Sequence, residues 1–186
     1  MNPQRDKNGL TEEEFLRQYS GDLYPKPSLT ADIIVFKEAP GAANPKVLLI
    51  RRGGHPFLGR LALPGGFAEP GETIEQTAAR ELQEETHIAG LTLTLVGLYS
   101  TPGRDPRGWV VTAAFAAVIR NDETTAEAGD DADSLCWAEW KTDRDGVFSL
   151  TADGVEQAPD ARGCLLAFDH DNILADAIKR IYGKTE

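Results

Sequence analysis

The chain has 186 residues, 41% apolar and 26% charged, with a net charge of −11. That composition suits one globular domain with a real core, and the acidic balance argues against a nucleic-acid binder built on a basic stripe. There is no long apolar run to cross a membrane, and Met1-Asn2-Pro3-Gln4-Arg5-Asp6 lacks an apolar signal core, so a cytoplasmic protein with no membrane partner is expected.

In chain order, Thr11 to Tyr19 reads as a short helix with Thr11 and Glu14 as a capping box. Tyr24-Pro25-Lys26-Pro27 is a stiff connector. Leu29 to Lys37 and Lys46 to Arg52 read as strands around the loop Ala39 to Pro45. Leu63-Pro64-Gly65-Gly66-Phe67 is a turn where the backbone can approach a ligand or adopt positive φ. After a second turn, Pro70-Gly71-Glu72, Thr73 opens a helix with Gln76 three residues on. Leu91 to Ser100 and Trp109 to Ile119 are rich in strand formers, and Asn121 to Asp133 reads as an acidic surface loop. Ser134 to Lys141 reads as another strand, with a short one around Val147 to Leu150. Phe168 to Tyr182 is an amphipathic helix, with Ile173, Leu174, Ala177, Ile178 and Ile181 at helical spacing. The order predicts an α/β (α+β) domain, a sheet covered on both sides. One domain over 1–186 is expected, with 1–23 as an N-terminal extension and a core of about 24–182.

The helix after the glycine turn carries the chemistry. Glu81, Glu84 and Glu85 are spaced i, i+3 and i+4, so they share one side of a helix. Ile74, Ala78 and Leu82 form an apolar stripe that turns acidic toward the C-terminus. Inward carboxylates repel one another and are costly to bury unless a cation sits among them. Hard oxygen donors on a rigid element suit Mg²⁺ or Mn²⁺. An ordinary Glu-rich surface helix with pairs such as Arg80 to Glu84 would share much of this pattern, so the preceding glycine turn matters. Glu72 could reach Arg80 and hold loop against helix.

Gly66, Glu72 and Arg80-Glu81-Leu82-x-Glu84-Glu85-x-x-Ile88 together resemble the Nudix box, the signature of the MutT-like Nudix hydrolases. One position departs: His87 stands where the family has the glycine that ends the helix in a left-handed conformation, a change costing on the order of 1 kcal/mol. The resemblance implies the Nudix fold, a mixed sheet sandwiched between helices. It also implies metal held by Glu81, Glu84, Glu85 and the carbonyl of Gly66. Glu84 or Glu85 would then help remove a proton from water, with Arg80 and Glu72 positioning the carboxylates.

Outside the box, Ser100-Thr101-Pro102-Gly103-Arg104-Asp105-Pro106-Arg107-Gly108 and Leu48-Leu49-Ile50-Arg51-Arg52-Gly53-Gly54 look like the branch containing bacterial ADP-ribose pyrophosphatases. So do Tyr24 to Thr30 and Ala167-Phe168-Asp169-His170-Asp171. Arg104, Arg107 and one of Arg51 or Arg52 are the candidate grips on substrate; Arg51 and Arg52 should face opposite ways by strand alternation. A salt-bridged turn pairing Asp105 with one arginine is the plainer reading of that loop. His55 and His170 read as surface or capping residues and His87 as structural. Trp109, Trp137 and Trp140 read as core, though Trp109 or Phe115 near a pocket could stack on adenine. Cys136 and Cys164 read as buried free thiols.

The expected function is metal-dependent hydrolysis of a nucleoside diphosphate linked to another group, with ADP-ribose yielding AMP and ribose 5-phosphate. Rival readings are a non-catalytic sensor or regulator, which the chain length and lack of a basic patch disfavour, and a nucleoside triphosphate or dinucleoside polyphosphate hydrolase. A small-molecule nucleotide is the expected partner, with no nucleic acid, and the resemblance implies a homodimer.

Overall fold

The computed structural model describes residues 4–41, 44–120, 132–142 and 148–183. Its helices are α1 (Glu12–Gln18), α2 (Ile74–Thr86) and α3 (His170–Tyr182). Its strands are β1 (Ser28–Lys37), β2 (Lys46–Arg52), β3 (Leu61–Ala62), β4 (Gly65–Phe67), β5 (Thr94–Tyr99), β6 (Val110–Ile119), β7 (Ala132–Thr142), β8 (Phe148–Ala152) and β9 (Val155–Glu156). Among the described residues the main path of the sheet runs β5-β6-β1-β2-β7-β8-β9, with β3 on β2 and β4 on β1. β1 and β6 are parallel and the other pairs antiparallel, so the sheet is mixed, as expected.

The central position of β1 explains its nearly unbroken apolar run. A strand flanked on both edges and covered on both faces has no solvent side, so alternation disappears. Ala31, Ile33 and Val35 pack with Ala78 and Leu82 of α2, and with Ala113 and Phe115. Ile34 and Phe36 face the other way, onto Ile173, Leu174 and Ala177 of α3. The two helices therefore sandwich the sheet. Tyr99 of β5 ties the second layer down by donating to Asp176 at 3.0 Å.

Local chemistry sets the helix limits. Both expected capping boxes form, Thr11 with Glu14 and Thr73 with Gln76. At the far end of α2, His87 adopts the left-handed conformation that a glycine would take, with φ 58° and ψ 12°. The α3 helix starts two residues later than the periodicity suggests, because Phe168 itself is left-handed at φ 55°.

Three expectations need correction. The glycine turn is not only a turn: Gly65–Phe67 pairs with β1, aligning Thr30 with Phe67 and Asp32 with Gly65. Such a short strand is dictated by a distant partner, which local propensity does not reveal. Trp109 is exposed rather than core, whereas Trp140 is buried; Phe115 lies in the core and so cannot serve as a stacking platform. Cys136 is buried and Cys164 only half-buried, both as free thiols. Residues 121–131 of the expected loop Asn121 to Asp133 and the start of the short strand at Val147 lie outside the described residues, and β7 begins at Ala132, within the span expected as loop.

Leu82 is buried between α2 and the sheet. Leu82→Ala should lower unfolding free energy by about 2–5 kcal/mol, read as a shifted midpoint in urea denaturation.

Candidate active site

The β4 strand, carrying Gly65 and Gly66, and the acidic face of α2 close on each other. Gly65 has φ 150°, and a side-chain carbon there would collide with the Ala31 carbonyl. At Gly66 a Cβ would collide with the carboxylate of Glu81. The close approach that these glycines allow is therefore made by the chain's own helix and strand. Glu85 reaches the same strand, its Oε2 accepting the Gly65 backbone N–H at 2.8 Å.

Arg80 organises the carboxylates. Its Nε donates to Glu72 at 2.7 Å, one Nη donates to Glu81 at 2.8 Å and Glu84 at 2.9 Å, and the other Nη donates to the Phe67 carbonyl at 2.9 Å. The cation demanded by the like-charge spacing is thus, in this structure, a guanidinium. Arg80's hydrogen bonds to Glu72 hold that carboxyl at about 2, far below its ordinary range, with the Glu69 backbone N–H adding to the effect. Burial pushes the Glu81 carboxyl up, against the downward pull of Arg80.

Glu81 and Glu85 line a cavity of about 740 Å³ together with Gly65, Gly66, Arg52, Arg80, Arg104 and Arg107. Glu84 turns outward, its side chain 59% exposed. The two strand-end arginines face opposite ways, as alternation requires: Arg52 lines the cavity, while Arg51 donates to the Gly59 carbonyl at 2.9 Å. Burial pushes the Arg52 guanidinium down from its ordinary value.

The other two arginines are tied to acids. Arg104 is buried and grips Asp169 through Nε at 2.9 Å and Nη2 at 2.7 Å, with Asp32 further off at 3.5 Å. Arg107 is held by Asp105 in the same loop, at 2.7 Å between Nη2 and Oδ2. The salt-bridged turn is therefore real, and it points into the cavity rather than away from it.

His170 corrects the sequence reading outright. It is neither a surface nor a capping residue: it is buried, and its Nδ1 accepts the Leu63 backbone N–H at 2.9 Å. The neutral ring then carries its proton on Nε2, which lies 3.6 Å from Asp32. Burial pushes its pKa down. Asp32, Asp169, Phe67 and Phe168 complete the cavity region and were not singled out from sequence. Asp32 did leave a signal, a lone acid inside the apolar run Leu29 to Phe36. Asp169 and Phe168 stood out only as part of the segment Ala167 to Asp171 that resembles the ADP-ribose pyrophosphatase branch, and only the folded chain carries the start of α3 to the cavity.

The donors suit a hard divalent cation: carboxylate and carbonyl oxygens, drawn to a glycine whose missing Cβ makes room, with Glu81 partly desolvated. Among the described residues, no three His, Cys, Asp or Glu side chains gather around one metal position, and Arg80 is bonded to Glu81 and Glu84.

The family model of the NUDIX domain matches residues 26–142. The chain belongs to the Nudix family. It is 41% identical over 123 residues to an ADP-ribose pyrophosphatase of Methanocaldococcus jannaschii, covering 66% of this chain and 67% of that protein. It is 33% identical over 180 residues to an ADPR responsive transcriptional repressor of Acinetobacter baylyi, covering 96% of this chain but only 64% of the repressor. Among solved structures it resembles the NUDIX domain of Shewanella oneidensis NrtR in complex with ADP ribose. That match has a TM-score of 0.72 at 28% identity and covers 92% of this chain and 99% of that one.

Glu72's depressed pKa has a testable sign. The Glu72–Arg80 ion pair stabilises the fold above the ordinary value of 4.5, and that stability is lost as pH falls toward about 2. Thermal melts should show the wild type losing stability across that window, and Glu72→Gln should flatten the slope there.

Proposed function

We propose that this protein hydrolyses the diphosphate bridge of a nucleoside diphosphate linked to a sugar, with ADP-ribose preferred and AMP and ribose 5-phosphate as products. One observation carries the reading. Glu81 and Glu85 meet the Gly65–Gly66 strand on a cavity that arginines also line, so anion-binding and cation-binding groups face one space. The similarity to the archaeal pyrophosphatase supports the reaction, and the ADP-ribose complex of the Shewanella domain supports the ligand.

We assign the divalent ion, Mg²⁺ or Mn²⁺, to Glu81, Glu84, Glu85 and the Gly66 carbonyl. Once bound, it would supply charge neutralisation for the diphosphate oxygens and lower the pKa of water. The side chains do the remaining work. Arg80 and Glu72 hold Glu81 and Glu84 at set angles. Glu85 is our candidate for accepting the water proton; its place on the cavity wall supports this, whereas Glu84 faces solvent. Arg52 contacts the diphosphate from the end of β2, and Arg104, fixed by Asp169, contributes from the 100–108 loop. We place the reaction in the cytoplasm, a location with which two free cysteines agree. A homodimer belongs to the same proposal; Leu95 and Leu98, exposed on the edge strand β5, support it.

A second reading has its own support. The likeness to the ADPR responsive repressor runs over nearly the whole chain, so a sensor that binds ADP-ribose without cleaving it is the rival.

Glu81→Gln and Glu85→Gln should each cut turnover of ADP-ribose by about 10²- to 10⁴-fold with an unchanged circular dichroism spectrum. Chelation should abolish turnover, and Mg²⁺ or Mn²⁺ should restore it. A panel of ADP-ribose, NADH, diadenosine polyphosphates and oxidised dGTP should show ADP-ribose cleaved best. Equal or better cleavage of a triphosphate would overturn the preference, and tight ADP-ribose binding without hydrolysis would favour the sensor.

A further inference from the structure

A layered stack of rings and guanidinium groups runs along one wall of the cavity. Phe57 and Phe168 meet edge to face, 4.8 Å between ring centroids and 70° between planes. Both are left-handed, at φ 63° and φ 55°, a conformation that bulky side chains rarely adopt. Strain of this kind persists where surrounding contacts over-determine it, and it gathers at functional sites. Arg52 lies over the Phe168 ring at 4.9 Å, and the Arg107 guanidinium sits 5.5 Å from the same ring. On its other side Arg107 lies 4.7 Å from the ring of Phe67.

The stack has a closed end and an open end. Both Phe168 and Phe67 line the cavity, but Phe168 is 7% exposed and Phe67 41%. Arg107 cannot drift from between the rings. Asp105, itself buried, takes its Nε at 3.0 Å, its Nη2 at 2.7 Å and its backbone N–H at 2.8 Å. Held there over the Phe67 ring, Arg107 is placed to back that ring. A cation on one face withdraws π-electron density and strengthens stacking of an electron-rich ring on the other.

We propose that Phe67, backed by Arg107, is the platform on which the ligand's nucleobase stacks. A half-exposed phenyl ring on the cavity wall, with a guanidinium on it, offers a flat apolar surface, and the base is the part of a nucleotide that can cover it. The position fits, because Phe67 directly follows Gly66 and its carbonyl accepts from Arg80. Base recognition is thereby set one residue away from the phosphate-cleaving groups. This assignment rests on the nucleotide reading above and selects the nucleoside half of the substrate as the part read by this wall.

The test uses the two products as probes, since neither turns over. With Mg²⁺ present, calorimetry should show Phe67→Ala weakening AMP binding about tenfold while ribose 5-phosphate binding stays unchanged. Phe67→Trp should bind AMP at least as tightly as the wild type does. Unaltered AMP binding in Phe67→Ala, or equal weakening of both ligands, would overturn the platform. The two proposals fail separately. If the wild type leaves ADP-ribose intact but AMP binding still depends on Phe67, the stacking stands and the hydrolase reading falls. If ADP-ribose is cleaved and Phe67→Ala binds AMP like the wild type, the hydrolase stands and the platform falls.

Discussion

One guanidinium holds the site in its observed form. Arg80 joins Glu72 before the helix, Glu81 and Glu84 within it, and the Phe67 carbonyl on β4. Carboxylates at i, i+3 and i+4 repel, and burying Glu81 makes its charge more costly still. A fork of planar donors satisfies three acids and a carbonyl at once, which an ammonium group cannot do with the same geometry. The loop, the strand and the helix are therefore fastened by one residue, and the acids stay close without mutual repulsion driving them outward.

A second wall uses the same principle with different parts. Arg104 reaches across from the 100–108 loop to Asp169 at the start of α3, and His170 accepts the Leu63 N–H beside β4. Asp32 of β1 stands between Arg104 and His170. Removing one member of such a buried set would leave a charge or donor unpaired, which costs more than the pairing gains. Segments far apart in sequence are thus held around one cavity by polar contacts, while the apolar layers beneath α2 and α3 supply the general stability.

Much of the fold was legible because its signals are local. The Thr73–Gln76 capping box, the acidic turn of the α2 stripe and the β2 span Lys46–Arg52 follow from spacing alone. His87 could be placed at a left-handed helix end because it stands where the resembled family has the glycine that ends this helix. The pairing of Gly65–Phe67 with β1 was not legible, since two glycines carry no strand preference and the partner lies more than thirty residues earlier.

The sequence by itself determined which groups the site contains: three glutamates on one helical face, an arginine among them and a glycine turn ahead of them. Those spacings are geometric consequences of a 3.6-residue repeat and need no tertiary information. Only the tertiary structure decided how the groups are used. It turned Glu84 toward solvent and Glu85 inward, paired Arg104 with Asp169, and buried His170 where an exposed residue was expected. It also brought Phe168 behind Arg107 and Phe67. The reason is physical: helix and strand periodicity fix direction around one element, whereas burial and partnership depend on which distant element arrives to cover it.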